Sequence, residues 1–263
     1  MRRDRKLFIG NRLRVGNGLL AWYDVSRDDF LTLSGSKITQ CLDRSGNANH
    51  SDVQATSSKQ PERTEGSLNG LSGATADGND ALDLPSSVYS LAGGNNTIFG
   101  VGKRTTEAGD NDSIVAFTTS SSPRLLIRFG GTSGTVNYRS SASGSILSNG
   151  SNTNTKPQMM TGFRSGTTAS ISVAGGTPVT NTDASDVLNV DSAQLANGSG
   201  GLLGVLYEVI LYNRTLTTEE ILMVEVYLAN KWAIYHPQAT WILSYTSVEQ
   251  TTIHASKLNR DEV

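Results

Sequence analysis

Retaining hydrolysis of a glycosidic bond needs two carboxyl groups on one face, about 5 Å apart. A β-strand supplies such a pair at alternating positions, because residues i, i+2 and i+4 point the same way. The chain contains no E-x-D-x-x-E or E-x-D-x-E run. Glu62 and Glu65 stand close together in a polar stretch, and Glu208 stands alone in an apolar one. The histidines, His50, His236 and His254, fall in turns or tails, and no Ser/His/Asp grouping, HExxH or CxxC is present. These residues predict no catalytic site and no enzymatic activity.

Hard oxygen ligands of the kind calcium takes occur twice, in Asp77-Gly78-Asn79-Asp80 and Asp110-Asn111-Asp112. Asp77, Asp80, Asp110 and Asp112 are therefore the metal candidates, and calcium is the only cofactor suggested. The same residues also form ordinary turns through side-chain-to-backbone bonds. The first loop lacks the closing glutamate of an EF-hand. Sugar binding wants exposed aromatic rings beside polar groups. Asn137-Tyr138-Arg139, read as a strand end at a loop, is the carbohydrate candidate. Trp22 and Trp232 lie in apolar segments and read as core. Trp241 opens a strand-like run, Trp241-Ile242-Leu243-Ser244-Tyr245, near the C-terminus.

The stretch Gly201 to Tyr235 organises the rest. Leu202 to Tyr212 is almost continuously apolar, branched and aromatic, the composition of a strand buried on both faces. Asn213-Arg214 supplies a turn. Thr217 and Glu220 then match a capping box, and Leu216 and Ile221 occupy the hydrophobic-staple positions. Ile221, Val224 and Leu228 line one helical face, with Trp232 a turn further on.

A chain of 263 residues suits one large β domain. Charged residues make up 17%, below the usual ~25%, and Ser, Thr, Asn and Gly take their place. Such neutral polar surface is common on β proteins outside cells and on virus particles. The net charge of −2 gives no general attraction for nucleic acid or acidic lipid. The lone Cys41 excludes an internal disulfide. No apolar run is long enough for a secretory signal or a membrane span, so the expectation is synthesis in a host cytoplasm without membrane insertion. Near the N-terminus Arg2, Arg3, Arg5, Lys6, Arg12 and Arg14 face only Asp4. This reads either as a solvated tail or as an arm that docks on an acidic neighbour. Arg2, Arg3, Arg5, Lys6, Trp241, Ile242 and Leu243 are the assembly candidates, because an unpaired strand-like run invites strand addition.

Several segments carry a family likeness: LLAWYDVS, DRSGNANH, the KQP and LNG steps, DGNDALDL, then EVILYNRTLTTEEI and VYLANKWAI. Together they resemble the LamG-like jelly rolls of the concanavalin A-like lectin/glucanase superfamily, in the variety found in bacteriophage virion proteins. The resemblance runs from Gly18 to Tyr235. It implies an all-β, antiparallel two-sheet jelly-roll sandwich with one short C-terminal helix. Residues 1–17 would form a basic arm, 18–236 the jelly roll and 237–263 a tail. Strand-like pieces at Thr97 to Val101, Ser113 to Phe117, Leu125 to Phe129, Thr135 to Tyr138, Met159 to Phe163 and Ala169 to Val173 fit it. Ala174-Gly175-Gly176-Thr177 reads as a hairpin turn, and Ser140 to Lys156 as a long exposed loop. Two positions depart from the family: Cys41 stands where tryptophan is usual, and Ala76 where phenylalanine is. The core there should be repacked or filled from elsewhere, another chain included. The resemblance implies a non-enzymatic structural protein of a virion, whether decoration, fibre or tail-associated. Its partners would be other virion proteins, copies of itself and host surface polysaccharide. A carbohydrate-binding adhesin module is the alternative.

Overall fold

The computed structural model describes residues 13, 15–105, 112–119, 122–130, 135–140, 147–150, 155–182, 189–196 and 201–237. Their strands are β1 (Leu19–Asp24), β2 (Leu31–Ser34), β3 (Lys37–Cys41), β4 (Glu62–Leu68), β5 (Leu71–Asp77), β6 (Leu82–Asp83), β7 (Asn96–Arg104) and β8 (Ser113–Thr119). There follow β9 (Ser122–Phe129), β10 (Val136–Ser140), β11 (Leu147–Asn149), β12 (Gln158–Ser165), β13 (Thr168–Val173), β14 (Val179–Thr182), β15 (Ser192–Leu195) and β16 (Leu203–Tyr212). One α-helix, α1 (Thr218–Trp232), comes last among the described residues. All the pairings are antiparallel. They build a ten-stranded sheet, β14-β13-β12-β7-β16-β5-β4-β3-β2 with β1 beside β16, and a six-stranded sheet, β11-β10-β9-β8-β15-β6. The molecule is an all-β jelly-roll sandwich with a helix laid on the outside of its larger sheet.

Strand β16 is the keystone, as its composition requires. It pairs with β7 along one side and with β5 then β1 along the other. Its inward residues Leu206, Val209 and Leu211 join the core between the sheets, while Val205, Tyr207, Ile210 and Tyr212 join a second core under α1. Alternation breaks at a bulge between Leu206 and Glu208, so Tyr207 and Glu208 both face the helix. On β7, Gly100 and Gly102 face inward, and a Cβ at either would overlap Ile114 of the opposite sheet. These two glycines let the sheets close.

The helix follows its local chemistry. Thr217 Oγ1 accepts the Glu220 N–H at 3.2 Å, and Glu220 accepts the Thr217 N–H at 2.9 Å. Leu216, Val224, Leu228 and Trp232 pack into the outer core, with Ile221 at its edge. Part of the N-terminal arm packs there too. Val15 is buried, and its carbonyl accepts the Tyr212 hydroxyl at 2.8 Å.

One expectation is narrowed and another is corrected. Cys41 and Ala76 are buried in the inter-sheet core among residues of this same chain, which is the repacking alternative. Burial pushes the Cys41 thiol up to about 12, which leaves it unreactive. The span Ser140 to Lys156 is not one exposed loop. Strand β11 lies within it, pairs with β10 and buries Leu147. The polar run Glu62–Leu68 is strand β4, whose partly buried Arg63 salt-bridges to the exposed Asp28 and Glu65.

Candidate functional site

The strongest concentration of charge lies beneath α1, and Glu208 is its centre. The bulge aims Glu208 at the helix, where both carboxylate oxygens accept two donors. Oε1 takes Trp22 Nε1 at 2.6 Å and Tyr227 Oη at 3.0 Å; Oε2 takes Trp232 Nε1 at 2.7 Å and Lys231 Nζ at 2.8 Å. Asp24, opposite Glu208 on β1, shares Lys231 at 2.6 Å and also pairs with Arg44. The Arg44 guanidinium lies 3.9 Å over the Trp22 ring, and Trp22 meets Tyr227 edge-on at 5.9 Å. Two carboxylates thus face two cations. Burial and then Asp24 push the Glu208 carboxyl up, while Lys231 and Trp232 draw it back. All four acceptor positions are taken and the group is only 1% exposed, so no substrate can reach it. It is a clamp between sheet and helix.

The described metal candidates, Asp77, Asp80 and Asp112, are engaged in turn bonds and an ion pair. Asp80 Oδ2 accepts the Asp77 N–H and Asp77 Oδ1 accepts the Asn79 N–H, each at 3.0 Å. Both are turn bonds, and burial raises the Asp80 carboxyl. Asp112 pairs with buried Arg104, and Asp110 lies outside the described residues. Among the described residues no three His, Cys, Asp or Glu side chains gather as a metal site.

The carbohydrate candidate is corrected at its centre. Tyr138 belongs to β10, is fully buried, and donates its hydroxyl to Asn96 Oδ1 at 2.7 Å. Its ring fills the space over Gly162, where a Cβ would collide with it. No sugar can stack on it. Its neighbours Asn137 and Arg139 alternate to the outer face of the six-stranded sheet, where Asn137 Nδ2 donates to Ser148 Oγ at 2.9 Å. Arg128 shares that face, and burial, with Arg139 nearby, lowers its pKa. The assembly candidates Arg2, Arg3, Arg5, Lys6, Trp241, Ile242 and Leu243 lie outside the described residues.

A different surface holds the open space. A cleft of about 340 Å³ lies between α1 and the β13–β14 turn, lined by Phe163, Ser172, Thr177, Pro178, Ile221 and Glu225 among others. Glu225 is buried. Its Oε1 accepts Thr161 Oγ1 at 2.6 Å and Ser172 Oγ at 3.3 Å, and its Oε2 lies 3.2 Å from His236 Nε2. His236 in turn packs on Gly175, whose φ of +70° and missing Cβ make room for the ring. A second groove, about 420 Å³, adjoins the same turn at Ala174 and is lined by Lys156, Gln158, Ile234 and Tyr235. Tyr235 is 79% exposed, the aromatic ring beside polar groups that Tyr138 was expected to supply. Sequence reading passed over Glu225 and Tyr235 and set His236 aside as a turn or tail residue. The available signal was a charged residue, Glu225, inside the apolar run Ile221 to Leu228, which burial obliges to find partners.

Fold and sites together define an antiparallel two-sheet jelly-roll sandwich whose buried carboxylates are held in ion pairs and hydrogen bonds. No protein-family model matches the chain, and no curated protein matches it. Solved structures do. Trypanosoma rangeli sialidase in complex with sialic acid is similar at 14% identity and TM-score 0.56, over 81% of this chain and 33% of that one. Domain 4 of AbnA, a GH43 extracellular arabinanase from Geobacillus stearothermophilus in complex with arabinotriose, is similar at 14% identity and TM-score 0.54, over 77% of this chain and 96% of that one. The binding domain of Botulinum neurotoxin DC in complex with rat synaptotagmin II aligns at 9% identity and TM-score 0.56, over 81% and 52%. The chain thus spans a third of the sialidase's length. At such identities the likeness is one of fold.

Proposed function

We propose that this chain is a non-enzymatic structural protein of a bacteriophage virion, a decoration, fibre or tail-associated component. Its lectin-like jelly roll would serve assembly and contact host surface polysaccharide. One observation carries the binding half of this reading. The arabinanase domain, matched over 96% of its length, is a separate unit of this fold with an oligosaccharide bound. The committed state of Asp24, Glu208 and Asp112 supports a role without hydrolysis. The virion half rests on the resemblance of both ends of the jelly roll and on the low-charge polar surface. A carbohydrate-binding adhesin working apart from a particle is the second reading, favoured by the same arabinanase likeness.

The test has two arms. Purified chain is applied to an array of bacterial and plant glycans, and antibody against the chain is used to label purified virions. Glycan retention with labelled particles is the expected result. Glycan retention with bare particles would leave only the adhesin reading, and neither signal would sink both.

A further inference from the structure

The cleft between α1 and the β13–β14 turn lies apart from the inter-sheet core and the Glu208 cluster and shares only Ile221 with the edge of the outer core. Its volume of about 340 Å³ falls within the range of small-molecule sites. Its walls are of two kinds. Phe163, Pro178, Ile221 and Leu222 give apolar surface, against which the C–H face of a sugar ring can lie. Ser172, Thr177 and Thr218 give hydroxyls, and Glu225 a carboxylate. A carboxylate accepts at about four positions. Thr161, Ser172 and His236 account for three at Glu225, leaving one for a ligand hydroxyl.

The charge of the lining decides what kind of ligand fits. Among the described lining residues Glu225 is the only charged group, and there is no lysine or arginine. At the adjacent helix end the Glu220 N–H is occupied by Thr217, and Arg214 is held by Glu220. The N-terminal end of α1 favours an anion, but Glu219 and Glu220 in its first turn offset that pull, and the Glu225 carboxylate adds repulsion. We infer that the cleft takes one neutral sugar residue, and that the next residue of the glycan crosses the Ala174–Gly175 turn towards the exposed Tyr235 ring. This rests on the glycan-binding reading above and narrows it to uncharged saccharides, excluding sialic and uronic acids. The site lies on the helix side of the larger sheet, away from the face that carries Asn137 and Arg139.

The experiment titrates isotope-labelled full chain with cellotriose, maltotriose and arabinotriose, and separately with 3′-sialyllactose, following backbone amides by NMR. At least one neutral trisaccharide should shift Gly175, Gly176 and Thr218, while sialyllactose should leave them unmoved. Thr177→Trp closes the cleft from an exposed position and should weaken the neutral ligand about tenfold or more. Tyr235→Ala should weaken it less, because it touches only the second sugar. Neutral binding that survives Thr177→Trp, with shifts at Asn137 and Arg139 instead, overturns this site and leaves the glycan-binding reading standing. Sialyllactose shifting the cleft amides overturns the neutrality. No shift with any saccharide overturns both.

Discussion

Replacing Lys231 by methionine would test whether the buried clamp holds the helix to the sheet. The long stem keeps its packing, but the ammonium between Asp24 and Glu208 is lost. That ammonium sits 2.6 Å from one carboxylate and 2.8 Å from the other, in a residue only 6% exposed. At an effective dielectric of ~20 each pair attracts by about 6 kcal/mol, and most of this is offset by desolvation of the charges. Breaking a buried pair by deleting one partner leaves an uncompensated charge and typically costs ~3–5 kcal/mol. For a chain of this size that is a fall in Tm of roughly 6–20 °C. The pH dependence gives a sharper signature. Burial and Asp24 already raise the Glu208 carboxyl, and removal of Lys231 raises it further. The folded state then binds the proton more tightly than the unfolded one, so stability falls as pH rises from the ordinary carboxylate range of ~4.3 through the raised value. The deficit of Lys231→Met should be largest at neutral pH and shrink on acidification. Adding Glu208→Gln should recover part of it, because Arg44 still balances Asp24. Urea denaturation at a series of pH values measures all of this. A loss under ~1 kcal/mol at neutral pH, or a deficit that grows in acid, would refute the clamp.

Trp232→Ala removes a fully buried ring together with its hydrogen bond to Glu208 and should cost about 3–5 kcal/mol in the same assay. Thr217→Ala deletes only the N-cap acceptor and should cost ~1 kcal/mol. Incubation with laminarin, agar or host polysaccharide should release no reducing ends; release that vanishes on mutation of Glu208 or Glu225 would overturn the non-enzymatic reading.

Features that depend on neighbours in the chain were legible in the sequence. The capping box joins Thr217 to Glu220, so its chemistry is complete within one helical turn. The apolar run that became β16 announced a central strand because burial on both faces leaves no polar alternation. Strand-like segments bounded by turn residues likewise located most of β7, β8, β12 and β13, and the glycine turn after β13. Where the sequence pattern was polar, as in β4, or short, as in β11 and β15, no hydrophobic period marked the strand.

Which face a residue occupies was a different matter, because a shift of one position reverses every side chain. Tyr138 read as a surface aromatic, and pairing with β9 turned it onto Gly162 in the core. Tyr235 closed the last apolar segment and emerged exposed. The site residues were the least legible. Glu208 looked solitary because its donor Trp22 lies 186 positions away in the chain, and because a bulge, invisible in composition, turned it towards the helix. Local propensity and periodicity, being short-range, settled the helix and the apolar strands. Strand register and the bulge act across the whole sheet, and only they decided which charges are buried in pairs and where a cleft is left open.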